Sequence, residues 1–90
     1  MRIARILIEH DGTATKLPGR IEVESAYGLS TQLRSLAKLR KVGAVKFDRI
    51  SKYEKRAKII YDALKKTGAW LQPDLLIYGS PTGQVIFVKV

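Results

Sequence analysis

The chain contains no cysteine. Disulfide staples and thiolate metal sites are therefore excluded. It contains no asparagine either, while Lys, Arg and Glu are plentiful. That composition leans towards a thermophilic source. No apolar run is long enough to span a membrane. The opening stretch, MRIARILIEHDG, has too short an apolar run for a signal peptide and leads into acidic residues. The expectation is a soluble, intracellular, cytoplasmic protein. Its 90 residues make one small domain, 1–90, with one modest core and little left over for a deep catalytic cleft. The apolar and charged fractions are those of a folded chain.

Acid is the other shortage. Seventeen Lys and Arg face eight Asp and Glu, a net charge of +9. Through Glu24 the charges balance: Arg2, Arg5, Lys16 and Arg20 against Glu9, Asp11, Glu22 and Glu24. From Ser25 onwards there are thirteen bases and only four acids, Asp48, Glu54, Asp62 and Asp74. From Ser25 to Phe47 there is no acid at all. One-sided charge of this kind fits a polyanionic partner, most often nucleic acid.

The stretch Ile50 to Lys66 carries the pattern in its sharpest form. Ile50, Tyr53, Ala57, Ile60 and Leu64 recur at steps of three and four, one face of an α-helix. Lys52, Lys55, Lys58, Lys65 and Lys66 fall on the other side, and Gly68 is a natural stop. An earlier helix has Leu29, Leu33, Leu36 and Ala37 as its stripe, with Leu39 at the edge. Ser30 or Thr31 is its expected cap and Gly43 its end. Arg34, Lys38 and Lys41 line a flank, while Arg40 conflicts with the apolar stripe and is expected to snorkel past the helix end.

Around these helices the chain reads as strands. Arg2 to Glu9 is apolar on both alternation phases, the mark of a strand covered on both faces. His10-Asp11-Gly12-Thr13 and Pro18-Gly19 are turn signals. Arg20 to Glu24 alternates, with Ile21 and Val23 inward, and closes a hairpin with the first strand. Ala44 to Asp48 reads as a short strand or extended link, and Asp48 or Ser51 as the next cap. Trp70 is a core anchor. Leu75 to Tyr78 and Val85 to Val90 read as a hairpin across the turn Gly79 to Gly83. The fold class is α+β, in the order ββ-α-β-α-ββ.

From residue 29 to 90 this order resembles the winged helix-turn-helix family. KVGAVKF stands where that family ends a helix in glycine before a short strand. FDRISKY stands for the short helix, Glu54-Lys55 for the turn, and RAKIIYDALKKTG for the recognition helix. LLIYGSPTGQVIFVKV stands for the wing. Ser51 to Ile60 also reads as one continuous helix. The resemblance implies a two- or three-helix unit with a C-terminal β-hairpin, bound to the major groove by a cationic helix face. It implies phosphate or minor-groove contacts from Ser80, Thr82 and Gln84 in the wing.

Pro73-Asp74-Leu75-Leu76-Ile77-Tyr78 followed by Val85 to Lys89 is similar to the hairpin of PD-(D/E)xK nucleases. In that family an acid and a lysine on the second strand hold a metal with the first Asp. Asp74 matches, but Phe87 stands where the acid belongs. Glu22-Val23-Glu24 and the helix after it are similar to the elements that follow the motif, in another chain order.

Glu9-His10-Asp11 does not make a metal site on a strand, because consecutive side chains point to opposite faces. No cofactor motif and no Ser-His-Asp pattern is present. Tyr27, Tyr61 and Tyr78 have no spacing that would gather them into a base-stacking platform.

The function expected is a non-catalytic nucleic-acid-binding protein, regulatory or architectural, with double-stranded DNA favoured over RNA. The alternatives are a protein-interaction or homodimerisation module pairing through Val85 to Val90, and a degenerate nuclease-like protein. The expected contacts are Arg34, Lys38, Lys41, Lys52, Lys55, Lys58, Lys65 and Lys66, with Ser80, Thr82 and Gln84, and no metal or cofactor.

Overall fold

The computed structural model describes residues 1–40, 50–73, 75–79 and 82–90. Two helices lie on one face of a five-stranded antiparallel sheet. The elements are β1 (Arg2–Ile8), β2 (Ala14–Lys16), β3 (Ile21–Glu22), α1 (Ala26–Leu39), α2 (Ile50–Thr67), β4 (Ala69–Pro73), the one-turn α3 (Leu75–Tyr78) and β5 (Gln84–Lys89). The α+β class and the sense of the order follow the sequence reading. The strand expected over Ala44 to Asp48 lies outside the described residues, as do Gly43 and Asp48.

The sheet is built on β1 and β5, which pair from Ile3 opposite Lys89 to Ile8 opposite Gln84. β4 flanks β5, and β2 and β3 share the other edge of β1. The expected N-terminal hairpin is present, with its return strand in two pieces. Pro18 has no N–H for a ladder and falls in the gap between them. Leu17 N–H still reaches Arg5 O at 3.1 Å.

Antiparallel partners share a face, so the register decides what is buried. Leu7 lies opposite Val85, and Arg5 opposite Phe87. Ile3, Leu7, Val85 and Phe87 turn towards the helices and are buried. Arg5 shares that side but carries its guanidinium out to Gln32 Oε1 and Pro18 O, at 3.4 and 3.3 Å. The other phase of β1 (Ala4, Ile6, Ile8) is only half-buried. The expectation that β1 is covered on both faces is therefore corrected: the helices cover one face only.

α1 starts earlier than Ser30 or Thr31. Ser25 is its N-cap, and its Oγ accepts from Gly28 N–H at 3.4 Å. The helix thus takes in Tyr27-Gly28, and Ser30 is buried within it. The stripe Leu29, Leu33, Leu36 and Ala37 enters the core as its spacing requires, each leucine adding about 1.5–3 kcal/mol of burial. α2 buries Tyr53, Ala57, Ile60 and Leu64 on the expected face. It ends at Thr67, where Gly68, at a φ of 83°, donates to Leu64 O at 3.0 Å.

Two parts of the expected topology differ. The helix over 50–67 is continuous, so the turn at Glu54-Lys55 is not formed. The C-terminal hairpin uses Ala69–Pro73 as its first strand, and Leu75–Tyr78 is a helical turn within the connection. The strand ends at Pro73, which pairs with Gln84. The helical turn then drops Ile77 and Tyr78 into the core. Gly83 is buried beneath Tyr78, and a Cβ there would fall within the ring. β5 lies between β1 and β4 and does not project as a wing. Val85 to Val90 is likewise no free edge for pairing with another chain.

Two glycines give opposite expectations. A Cβ at Gly28 would meet Val23 Cγ1 at 3.7 Å, an ordinary contact inside a helix. Gly28→Ala should raise stability by about 0.5–1 kcal/mol. Gly83→Ala should lower it by about 1–3 kcal/mol through overpacking. Leu64→Ala should cost about 2–5 kcal/mol, since Leu64 is fully buried. Chemical denaturation of the three variants checks all three signs.

Candidate nucleic-acid interface

Around α2, successive residues advance by about 100°, and the direction of Tyr53, Ala57, Ile60 and Leu64 sets the buried side. Lys55, Lys58, Asp62 and Lys66 then fall outermost, with Lys52 and Lys65 on the two flanks. All five lysines are exposed. On α1, Lys38 is exposed beside Thr31 and Ser35, while Arg34 is half-buried. Lys41 lies outside the described residues.

Among the described residues, none of Lys38, Lys52, Lys55, Lys58, Lys65 and Lys66 is in an ion pair. Lys65 Nζ stands 5.6 Å from the centre of the Tyr61 ring, a cation–π contact. Tyr61 OH in turn donates to Glu24 O at 3.1 Å and ties α2 to the start of α1. The five lysines of α2 outnumber its two acids, Glu54 and Asp62, and among the described residues no ion pair joins them. Like charges at this density repel in the free protein and favour a polyanion that separates them.

Three of the four acids of the first 24 residues are committed away from the helix lysines. Glu22 accepts from the Met1 amine at 3.0 Å and pairs with Arg2, and the amine's hydrogen bond holds its carboxyl below the ordinary range. Asp11 Oδ1 accepts from Thr13 N–H at 2.9 Å, which depresses its carboxyl likewise. Glu9 binds Arg40 through both guanidinium nitrogens, one contact measuring 2.8 Å. None of these acids lies on the helix layer, so none neutralises its lysines.

The pair Glu9–Arg40 resolves the conflict seen in the helix pattern. Arg40 does not run past the helix end into water. Its head is half-buried, paired with Glu9 and placed 4.7 Å from the centre of the Tyr78 ring. His10 meets the same ring edge-on at 5.7 Å, and its Nδ1 contacts Thr82 Oγ1. Glu9, His10, Arg40, Tyr78 and Thr82 thus form one cluster at the end of the sheet. Sequence reading placed Thr82 in a wing and Glu9 at the end of the first strand. Nothing in the local pattern links positions 9, 40, 78 and 82, because only the tertiary fold brings them together.

Of the remaining wing residues, Ser80 lies outside the described residues and Gln84 is half-buried in the sheet opposite Ile8 and Pro73. The structure does not bring Thr82 and Gln84 to the lysines of α2. Tyr27 is exposed, Tyr61 is half-buried and Tyr78 is buried, so they form no common platform. Among the described residues, no three His, Asp or Glu side chains gather where a metal ion could be held. No helix among them is long and apolar enough to cross a membrane.

Comparison with protein-family models, with curated proteins and with solved structures finds no match to this chain.

The end cluster and the helix layer make separable contributions. Arg40→Met should lower stability by about 1–3 kcal/mol, because it leaves a half-buried carboxylate without its partner. A double-mutant cycle with Glu9→Gln should return a coupling energy of about 1–2 kcal/mol. Denaturation midpoints of the two single variants and the double variant give that energy directly.

Proposed function

We propose that this protein binds nucleic acid without catalysis, through the outer surface of its two-helix layer, and that duplex DNA is its preferred form. One observation carries the reading. The exposed lysines of α1 and α2 lie on a single side of the sheet, with no ion pair among the described residues.

The shape of the surface supports a duplex over a single strand. α2 is about 27 Å long, and Lys52 to Lys66 spans about 21 Å of it. A major groove is about 12 Å wide, so lysines on opposite flanks of the helix can reach phosphates of both strands. Single-strand binding rests on aromatic stacking, and among the described residues the helix layer exposes no cluster of rings.

The outermost residues of α2 are Lys55, Lys58, Ile59, Asp62 and Lys66. Bidentate readers of base edges, Arg, Asn and Gln, do not appear among them. Lysine heads are point charges suited to phosphates. An architectural role with little base preference is therefore favoured over a regulator of one site. The continuous helix and the central place of β5 mean that this mode does not depend on a helix-turn-helix with a wing.

Each phosphate neutralised should contribute about −0.9 to the slope of log K against log salt. Lys55→Ala combined with Lys58→Ala should flatten that slope by about two units and weaken binding on every duplex sequence alike. Stability should change by less than about 0.5 kcal/mol for each exposed substitution. Fluorescence anisotropy on labelled duplexes at several salt concentrations measures the slope, with melting curves run on the same samples. Unchanged binding in the double variant would remove the basis of the assignment.

A further inference from the structure

We infer that the face of the sheet left uncovered among the described residues is a self-association surface, on which a second copy of this chain packs face to face. The inference is independent of nucleic-acid binding, because it concerns the side of the molecule opposite the lysines.

The outer face follows from the register. One cross-strand row holds Ala4, Val88 and Ala69, the next Ile6, Ile86 and Leu71, and the third Ile8, Gln84 and Pro73. Val90 continues the same phase beyond Lys89, with its N–H on Arg2 O at 2.9 Å. Leu71 and Val90 are 53% and 50% exposed, among the most exposed large apolar residues of the chain. The central strands β1 and β5 are apolar on both phases, a composition suited to cover on both sides. The helices supply cover on one side only.

Charge selects the occupant. Among the described residues, the outer face carries Lys16 on β2 and, at the other end of that edge, Arg2 and Glu22, which pair with each other. It is close to neutral on a chain of net charge +9. A polyanion has nothing to bind there. A second copy has a matching aliphatic surface, and approaching by this face keeps the two lysine layers on opposite outer sides. The molecule is 20 Å across its shortest axis, so those layers lie well beyond a Debye length of about 8 Å. A flat patch of branched side chains with almost no polar demand is complementary to itself, as an isologous two-fold interface requires.

Edge-to-edge pairing is the competing geometry, and the free edge of β4 opposes it. Pro73 offers no N–H. Pro73 O accepts from Arg56 Nη2 at 3.0 Å, and Ala69 O from Thr67 Oγ1 at 3.0 Å. With those carbonyls occupied, little of the edge remains to template another strand.

Strands about 4.8 Å apart, with seven residues in β1, six in β5, five in β4 and five in β2 and β3 together, give a footprint of about 350 Å² per copy. The two copies together fall in the range of weak, reversible interfaces. The dimer should therefore build up with concentration, between about 10 μM and 1 mM.

Sedimentation equilibrium over that range is the test, beside variants of both faces. Wild type should move from monomer to dimer, and Leu71→Lys and Ile86→Lys should remain monomeric at every concentration. Leu71 is half exposed, so Leu71→Lys keeps the test valid if Ile86→Lys loses its fold by circular dichroism. The absence of native cysteine allows a second readout. Ile86→Cys should be linked into dimers by a short bismaleimide, and Lys58→Cys on the helix layer should not. A monomer throughout the range would overturn the inference and leave the face to solvent or to a different protein. So would a dimer that both lysine variants leave intact, or one linked through position 58 and not 86.

Discussion

The pairing of β1 with β5 is the constraint on which the rest depends. It joins residues 3–8 to residues 84–89, almost the full length of the chain apart. Closing so long a loop costs entropy before any contact compensates. The register repays it by setting Leu7 opposite Val85 on the inner side and Ile6 opposite Ile86 on the outer side. A slip of one residue would turn the inner set out to solvent. The helices pack on the side this register selects.

From that selection follows the separation of charge. α1 and α2 must put their leucine and isoleucine stripes down on Phe87, Val85, Leu7 and Ile3. Their lysines then have nowhere to go but outward. Three acids of the sheet side are held elsewhere, Glu22 at the Met1 amine, Asp11 in its own turn and Glu9 on Arg40, which leaves Glu54 and Asp62 among the five lysines of α2. The molecule therefore has a cationic side and a nearly neutral apolar side, back to back. The two proposed activities use one side each and do not compete for surface.

The end of the sheet is held by different physics. Gly83 admits the Tyr78 ring at close quarters, Arg40 lies over that ring, and Glu9 closes the guanidinium's hydrogen bonding. Four elements of the fold meet there: the ends of β1 and α1, the one-turn α3 and the entry to β5. A half-buried ion pair contributes most through the penalty of breaking it. That makes the cluster a structural fastening, apart from the surface that would meet a ligand.

Which residues enter the core was legible along the chain wherever a period was long enough. Leu29, Leu33, Leu36 and Ala37, and Tyr53, Ala57, Ile60 and Leu64, follow from spacing alone, because a helix of 14 or 18 residues repeats its phase several times. The end of α2 at Gly68 and the inward turn of Val23 are local effects too, set by φ freedom and alternation. The excess of base after Ser25 needed only counting. Short apolar runs were not legible. Leu75 to Tyr78 has the composition of a strand, yet four residues cannot record a period, and they form a helical turn. Nor does alternation say whether the second apolar face of β1 and β5 is covered, since that depends on how many layers the whole chain can supply. Two helices supply one. Arg40, out of place in its helix pattern, has its reason 31 residues away at Glu9. Local preference decided what each segment is, while long-range pairing decided which faces meet, which charges are cancelled and which surface is left open.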